Sequence, residues 1–240
     1  MYWICKYRYV EKIPNLQKKH HYFRLCQKGQ AMNRFFNLLI IAVGLVFIYK
    51  YLLNQSKAPT GWVGSVMMKL WNKVYLPMAK WSLSFLPTKQ FHRILDIGVG
   101  NGATTYYLSQ RFNAESIIGI DISEKAIEQA KRLHSGNTIT FEKANIKNTN
   151  YPSNSFDLIC AFQNHFHWNN LQGSLLEIRR ILTDDGILLI GCEYSKVKYF
   201  LPELKEPDVF GEYLDDVGLR LVQVERERDW VVYWVGKISR

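Results

Sequence analysis

Cysteine is scarce: four occur in 240 residues, and none of Cys5, Cys26, Cys160 and Cys192 stands at a metal-ligand spacing from another. That pattern argues against a zinc module and against a disulfide framework. Cys160 and Cys192 fall within apolar runs and read as inert core thiols. Internal repeats and low-complexity tracts are missing, which sets aside a solenoid and a disordered scaffold. Acids are nearly absent from one end, where residues 1–58 hold ten of the 31 Lys/Arg and only Glu11 among the 21 acidic residues. The rest of the chain is therefore close to neutral, although the whole carries +10. A phosphate-binding surface needs Lys and Arg clustered on the folded domain, so this charge does not indicate a nucleic-acid partner. Long apolar runs are few as well, and a mean hydropathy of -0.17 excludes a multi-span membrane protein.

One such run is present. Residues 35–53, FFNLLIIAVGLVFIYKYLL, carry no polar side chain between Leu38 and Ile48. With Asn37 and Lys50 near the interfaces, the run reaches the roughly 20 residues a transmembrane helix needs, and Tyr49 and Tyr51 suit an interfacial belt. A buried or capping helix is the alternative. Ser56-Lys57-Ala58 has the small-x-small look of a signal cleavage site, but Pro59 directly after it disfavours cleavage. Charge leaves the orientation open. Lys19, Arg24, Lys28 and Arg34 precede the run and outweigh Lys50 and Lys57, which keeps the tail cytosolic and sends the remainder across. A start at Met32 would leave Arg34 against Lys50, Lys57 and Lys69 and reverse that orientation. Four regions result: a basic tail over 1–34 without periodicity, the hydrophobic helix over 35–53, a helical lead-in over 59–88 split into two short helices by Pro77, and a domain over 89–240.

Within that domain, strand and helix patterns alternate, as in a parallel sheet covered by helices. Strands are expected over 93–97, 116–121, 138–143, 156–162 and 186–192, with helices over 104–111, 123–134 and 170–182. Two extended runs, 219–227 and 230–238, flank Arg228-Asp229 and predict a hairpin that ends the sheet with an antiparallel strand. The sharpest local signal is Ile94-Leu95-Asp96-Ile97-Gly98-Val99-Gly100-Asn101-Gly102, a buried strand entering a turn of alternating glycines. Glycine permits positive φ and close approach of a ligand. Gly98, Gly100 and Ala103 also satisfy the dinucleotide pattern G-x-G-x-x-G/A, which keeps an NAD-dependent oxidoreductase open at this point. Asp96, at the end of its strand, can meet an ammonium and would oppose a pyrophosphate. Asp121, about 20 residues on, can accept hydrogen bonds from both hydroxyls of a ribose.

LDIGVGNG, IIGIDIS, FDLICAF and EIRRILTDDGILLI, in this order and spacing, resemble the class I S-adenosylmethionine-dependent methyltransferases, of the type 11-like small-molecule group, over about residues 90–240. The segment 59–81 is similar to the leader of a bacterial subgroup of small methyltransferases. The resemblance implies a Rossmann-like α/β fold: a seven-stranded sheet in the order 3-2-1-4-5-7-6, strand seven antiparallel, with helices on both faces. It implies S-adenosylmethionine as cofactor, with Asp96, Gly98, Gly100 and Gly102 around its methionine part and Asp121 on its ribose. Ile122 would lie on the adenine face, Asn145 and Ile146 beside the adenine, and Gln163 near the methionine and methyl group. Asn145 stands where the family often has an acid, and Thr183-Asp184-Asp185-Gly186 replaces the usual Leu-Lys-Pro-Gly-Gly turn.

The segment Gln163-Asn164-His165-Phe166-His167-Trp168 follows the fourth strand, at the switch-point crevice of such sheets. His165 and His167 are the candidate catalytic bases for an acceptor that must lose a proton, or else they shape the loop. No third ligand accompanies the pair, so a metal site is not expected. Trp62, Trp71, Tyr75, Trp81, Tyr194, Tyr199 and Phe200 either favour an apolar, small-molecule or lipid-like acceptor or simply pack helices. A catalytically inactive, membrane-tethered cofactor-binding protein remains the alternative function.

Overall fold

Near-continuous aliphatic runs such as RILDI, SIIGID and FDLICAF suit strands buried on both faces, which is the situation inside a parallel sheet. The computed structural model, which describes residues 16–57, 61–134 and 136–238, places them there. Strands β1 (Arg93–Ile97), β2 (Ser116–Asp121), β3 (Ile139–Lys143), β4 (Phe156–Phe162), β5 (Leu182–Glu193), β6 (Leu219–Glu227) and β7 (Trp230–Lys237) form one sheet. Its order is β3-β2-β1-β4-β5-β7-β6, as the resemblance implied. The first five strands are parallel, and β7 runs antiparallel between β5 and β6. The hairpin closes with Glu227 opposite Trp230 and Arg228 at φ 56.

The helices are α1 (Leu16–Lys57), α2 (Gly61–Leu83), α3 (Ala103–Arg111), α4 (Glu124–Leu133), α5 (Leu171–Ile181), α6 (Tyr194–Phe200) and α7 (Pro207–Asp215). Alternation along the strands splits the core between the sheet's two faces. Leu95, Ile97, Ile159 and Leu188 pack with Leu175 and Ile178 of α5 and with Phe210 and Leu214 of α7. Ile94, Ile117, Leu158 and Leu189 pack on the other face with Leu83 of α2 and Leu108 of α3. Ser123 and Asn170 cap α4 and α5 through side-chain oxygens, which accept from Ala126 N and Gly173 N. Cys160 and Cys192 are buried free thiols whose pKa burial pushes up, so they stay protonated and inert.

Three local expectations are corrected. The lead-in is one helix that passes through Pro77, not two short ones. Proline removes one backbone donor, but Lys73 and Pro77 are both exposed and water can satisfy the freed carbonyl. Helix α1 begins at Leu16, well before the apolar run, because Leu, Gln, Lys and Arg are good helix formers even without an apolar stripe. Residues 1–15 of the expected tail lie outside the described residues. Strand β5 starts at Leu182, directly after α5. Leu182 pairs with Phe156 and Ile187 with Leu158, so the expected turn at 183–186 is carried as a bulge inside the strand. The chain divides into two units, 1–54 and 55–240. The site lies within the second.

Candidate functional site

The strand order puts the C-terminal ends of β3, β2, β1 and β4 side by side, which brings Asn145, Asp121, Asp96 and Gln163 to one edge of the sheet. At the end of β1 the chain turns through Gly98, Gly100 and Gly102 at φ 69, 55 and 80, all left-handed. Gly98 N and Val99 N donate to Ile120 O at 2.7 and 3.2 Å, which stitches the turn to β2. The outer glycines are also required for space. A Cβ on Gly98 would meet Asn164 Nδ2 at 2.5 Å, and one on Gly102 would meet Phe141 Cζ at 2.7 Å. Gly100 has nothing within 4 Å of that position, so the middle of the loop faces open space.

Two carboxylates flank this opening. Asp121 Oδ2 accepts from Gly100 N at 3.0 Å and Oδ1 from Ser123 N at 2.8 Å. Each oxygen keeps a lone pair for one further donor. Burial raises the Asp121 pKa, and these amides oppose the shift. Asp96 is 2% exposed, and Thr105 Oγ1 from the first turn of α3 donates to its Oδ2 at 2.7 Å. Burial pushes its pKa up to about 7; Thr105 opposes this and the charge of Asp121 adds to it. Such a buried carboxylate without a cationic partner is suited to receive one. Ile122, beyond Asp121, is 71% exposed and offers an apolar surface on which a flat ligand could lie.

The remaining expected residues differ among themselves. Asn145 is exposed, and its Oδ1 accepts from Lys147 N at 3.0 Å. Ile146 has its side chain in the core, which leaves its backbone alone to meet a ligand. Gln163 takes the left-handed conformation at φ 58, costly for a residue with a Cβ. Its Oε1 accepts from Glu193 N at 3.4 Å, while Nε2 is buried without a partner. His165 is 2% exposed, its Nδ1 has no partner, and burial with a contribution from His167 lowers its pKa to about 3. It is therefore neutral at physiological pH and far from the basicity that suits a general base there. His167 is exposed, with its ring 4.6 Å from Phe166 and 4.8 Å from Phe200.

Asn164 and Thr105 were not singled out from the sequence. Asn164 Nδ2 donates to Ile97 O, and to Phe162 O at 3.2 Å, tying the turn after β4 to the glycine loop, while its Oδ1 is buried without a partner. A polar residue directly after a buried strand was the available signal for Asn164, and a hydroxyl one turn beyond the glycines for Thr105. Among the described residues, no three His, Cys, Asp or Glu side chains gather as metal ligands.

Asp96 can take an ammonium, Asp121 two hydroxyls and Ile122 a flat ring, demands that a nucleoside joined to an amino acid would meet. They do not match a pyrophosphate. The fold is the Rossmann-like one of the methyltransferase architecture. Residues 95–190 match the family described as methyltransferase domain. The uncharacterized methyltransferase YcgJ of Bacillus subtilis is 28% identical over 128 residues, 52% of this chain and 47% of that protein. The phosphoethanolamine N-methyltransferase of Plasmodium falciparum is 30% identical over 159 residues, 64% of this chain and 57% of that protein. The chain spans about half the length of the curated relatives it matches. A methyltransferase solved in complex with the Haloferax volcanii Trm112 activator superposes with a TM-score of 0.64 at 16% identity, over 75% of this chain and 96% of that one, and so shares the fold. Residues 95–190 therefore match a methyltransferase domain, and the relatives together support the class I S-adenosylmethionine-dependent methyltransferase family, with S-adenosylmethionine as the cofactor that goes with it.

Proposed function

We propose that this chain transfers a methyl group from S-adenosylmethionine to a small-molecule or lipid-like acceptor at the ends of β1, β2 and β4. The observation that carries the reading is the pairing of a buried Asp96, which among the described residues has a hydroxyl donor and no cation beside it, with the amide-held Asp121 across the open arc of Gly100. Asp96 holds the amine of the methionine part, and Gly98, Gly100 and Gly102 let the backbone pass close beside it. Asp121 holds the ribose hydroxyls, Ile122 supports the adenine, and Asn145 with the Ile146 backbone borders it. The cofactor, when bound, supplies an activated sulfonium methyl group. The protein's own work is orientation and exclusion of water. Gln163 and Asn164 present a buried donor and a buried acceptor to that space. Phe166 and the half-buried Trp168 close it from solvent. His165, neutral and buried, acts as a positioning residue that accepts or donates one hydrogen bond to the bound pair, and His167 stands at the rim.

Calorimetry with S-adenosylhomocysteine, together with transfer of label from methyl-tritiated cofactor to cell-extract components, tests the reading. Absence of both binding and labelled product refutes it.

Helix α1 supports a membrane anchor as part of the same proposal. Met32–Leu52 is 21 residues long with a mean hydropathy of 2.0 and is 0% buried within the protein. An apolar surface of that extent calls for lipid or a partner. The domain is placed on the cytosolic side, where S-adenosylmethionine is made. Carbonate washing that frees the protein refutes the anchor, and digestion of the domain in intact cells by added protease refutes the orientation.

A further inference from the structure

Beside the cofactor edge, at the C-terminal end of β5, the chain encloses a cation of its own. The Lys196 ammonium, on α6, lies 4.9 Å from the ring centroid of Tyr75 and 5.9 Å from that of Phe166. It is 3.1 Å from Glu193 Oε2 and donates to Tyr75 Oη at 3.0 Å. These walls come from separate parts of the chain: α2, the turn after β4, and the end of β5. Phe166 is 6% exposed and is backed by Phe200, stacked at 5.3 Å. Glu193 also joins the box to the reaction space, because its backbone N–H donates to Gln163 Oε1.

One ring face, a phenol oxygen and a carboxylate form an environment that attracts an alkylammonium, since ring quadrupole and ionic charge both draw the cation. The present occupant is detachable. The Lys196 side chain is 31% exposed and sits on a flexible four-carbon stem. It can withdraw into water while the walls stay in place. An incoming ammonium would then meet the same ring and carboxylate, and a quaternary one, lacking an N–H, would forgo only the hydrogen bond to Tyr75 Oη. An anionic ligand would instead meet Glu193, which already neutralises Lys196.

We infer that Tyr75, Phe166 and Glu193 form a subsite for the cationic amine headgroup of the acceptor, and that Lys196 is its removable plug. The word acceptor rests on the methyltransferase reading; the cation site does not. The test is a titration of the purified full-length protein with choline, with Lys196→Met, Lys196→Gln and the double variant Lys196→Met/Glu193→Gln alongside. Removal of the plug is expected to tighten choline binding about tenfold, and loss of Glu193 is expected to abolish that gain. Equal choline affinity in wild type and both Lys196 variants overturns the proposal. So does binding of acetate or phosphate that wild type shows and Lys196→Met loses, since Lys196 would then be an anion partner. S-adenosylhomocysteine is titrated on the same samples. Its failure to bind with the choline response intact refutes the methyltransferase reading and supports the cation site on its own.

Discussion

The β1–β2 side of the site and the β4–β5 side use opposite tactics. Around the glycine loop, polar groups are held by the chain's own backbone: Gly98 and Val99 donate to Ile120, and Gly100 and Ser123 donate to Asp121. After β4, three consecutive residues each keep a buried polar atom without a partner: Gln163 Nε2, Asn164 Oδ1 and His165 Nδ1. Apart from Asp96, which among the described residues has no cation beside it, the first side has its polar groups in place before any ligand arrives. The second is left for a ligand to complete, and buried polar atoms of this kind cost free energy until it does.

The most damaging change on the finished side is Gly100→Val. It forces a branched residue to φ 55 and fills the open arc. Cofactor binding should fall below detection by calorimetry; affinity within tenfold of wild type would show that the arc is not where the ligand passes. Asp121→Ala comes next. Two charge-assisted hydrogen bonds worth roughly 1.5–3 kcal/mol each are removed, so affinity should drop at least about tenfold, and unchanged affinity would refute the ribose assignment.

Asp96 yields a graded effect through pH. Its folded-state carboxyl, raised from 3.8 to about 7, is protonated below that point and cannot pair with an ammonium. Cofactor affinity should therefore decline about tenfold per unit as pH falls below 7. Without ligand, the same raised pKa runs the other way. Between about 4 and 7 the unfolded chain is ionised there and the fold is not, so stability from this group decreases as pH rises. Asp96→Asn should flatten both dependences, and a wild-type-like pH slope in that variant would place the titration elsewhere.

The smallest effect is expected on the unfinished side. His165, with a pKa of about 3, should put no limb near pH 6.5 in the rate profile. His165→Asn should lower turnover less than about tenfold and leave cofactor affinity intact. A loss of about 10²-fold with intact affinity would restore His165 as the base and erase the contrast between the two sides.

The same contrast explains what was legible beforehand. The closing hairpin and the glycine turn follow from short-range patterns, because backbone geometry at one turn dictates their residue types, whereas the strand order comes from the family resemblance. The β4–β5 side carries no such pattern. Asn164 acts on Ile97, 67 positions away, and Lys196 on Tyr75, 121 away, so their partners are set by tertiary packing alone. The low basicity of His165 was equally hidden, since burial and not neighbouring sequence lowers it. The apolar run in α1 is legible in the sequence almost to the ends of Met32–Leu52, whereas the helical stretch before it has no apolar stripe to betray it.

Asn164, which hangs from the carbonyl of Ile97, makes the two halves one lever. One side-chain hydrogen bond thereby ties the turn after β4 to the last peptide of β1, directly before the glycine loop. Where two ligands are coupled through such a bond, the factor by which the first changes the affinity of the second equals the factor by which the second changes that of the first.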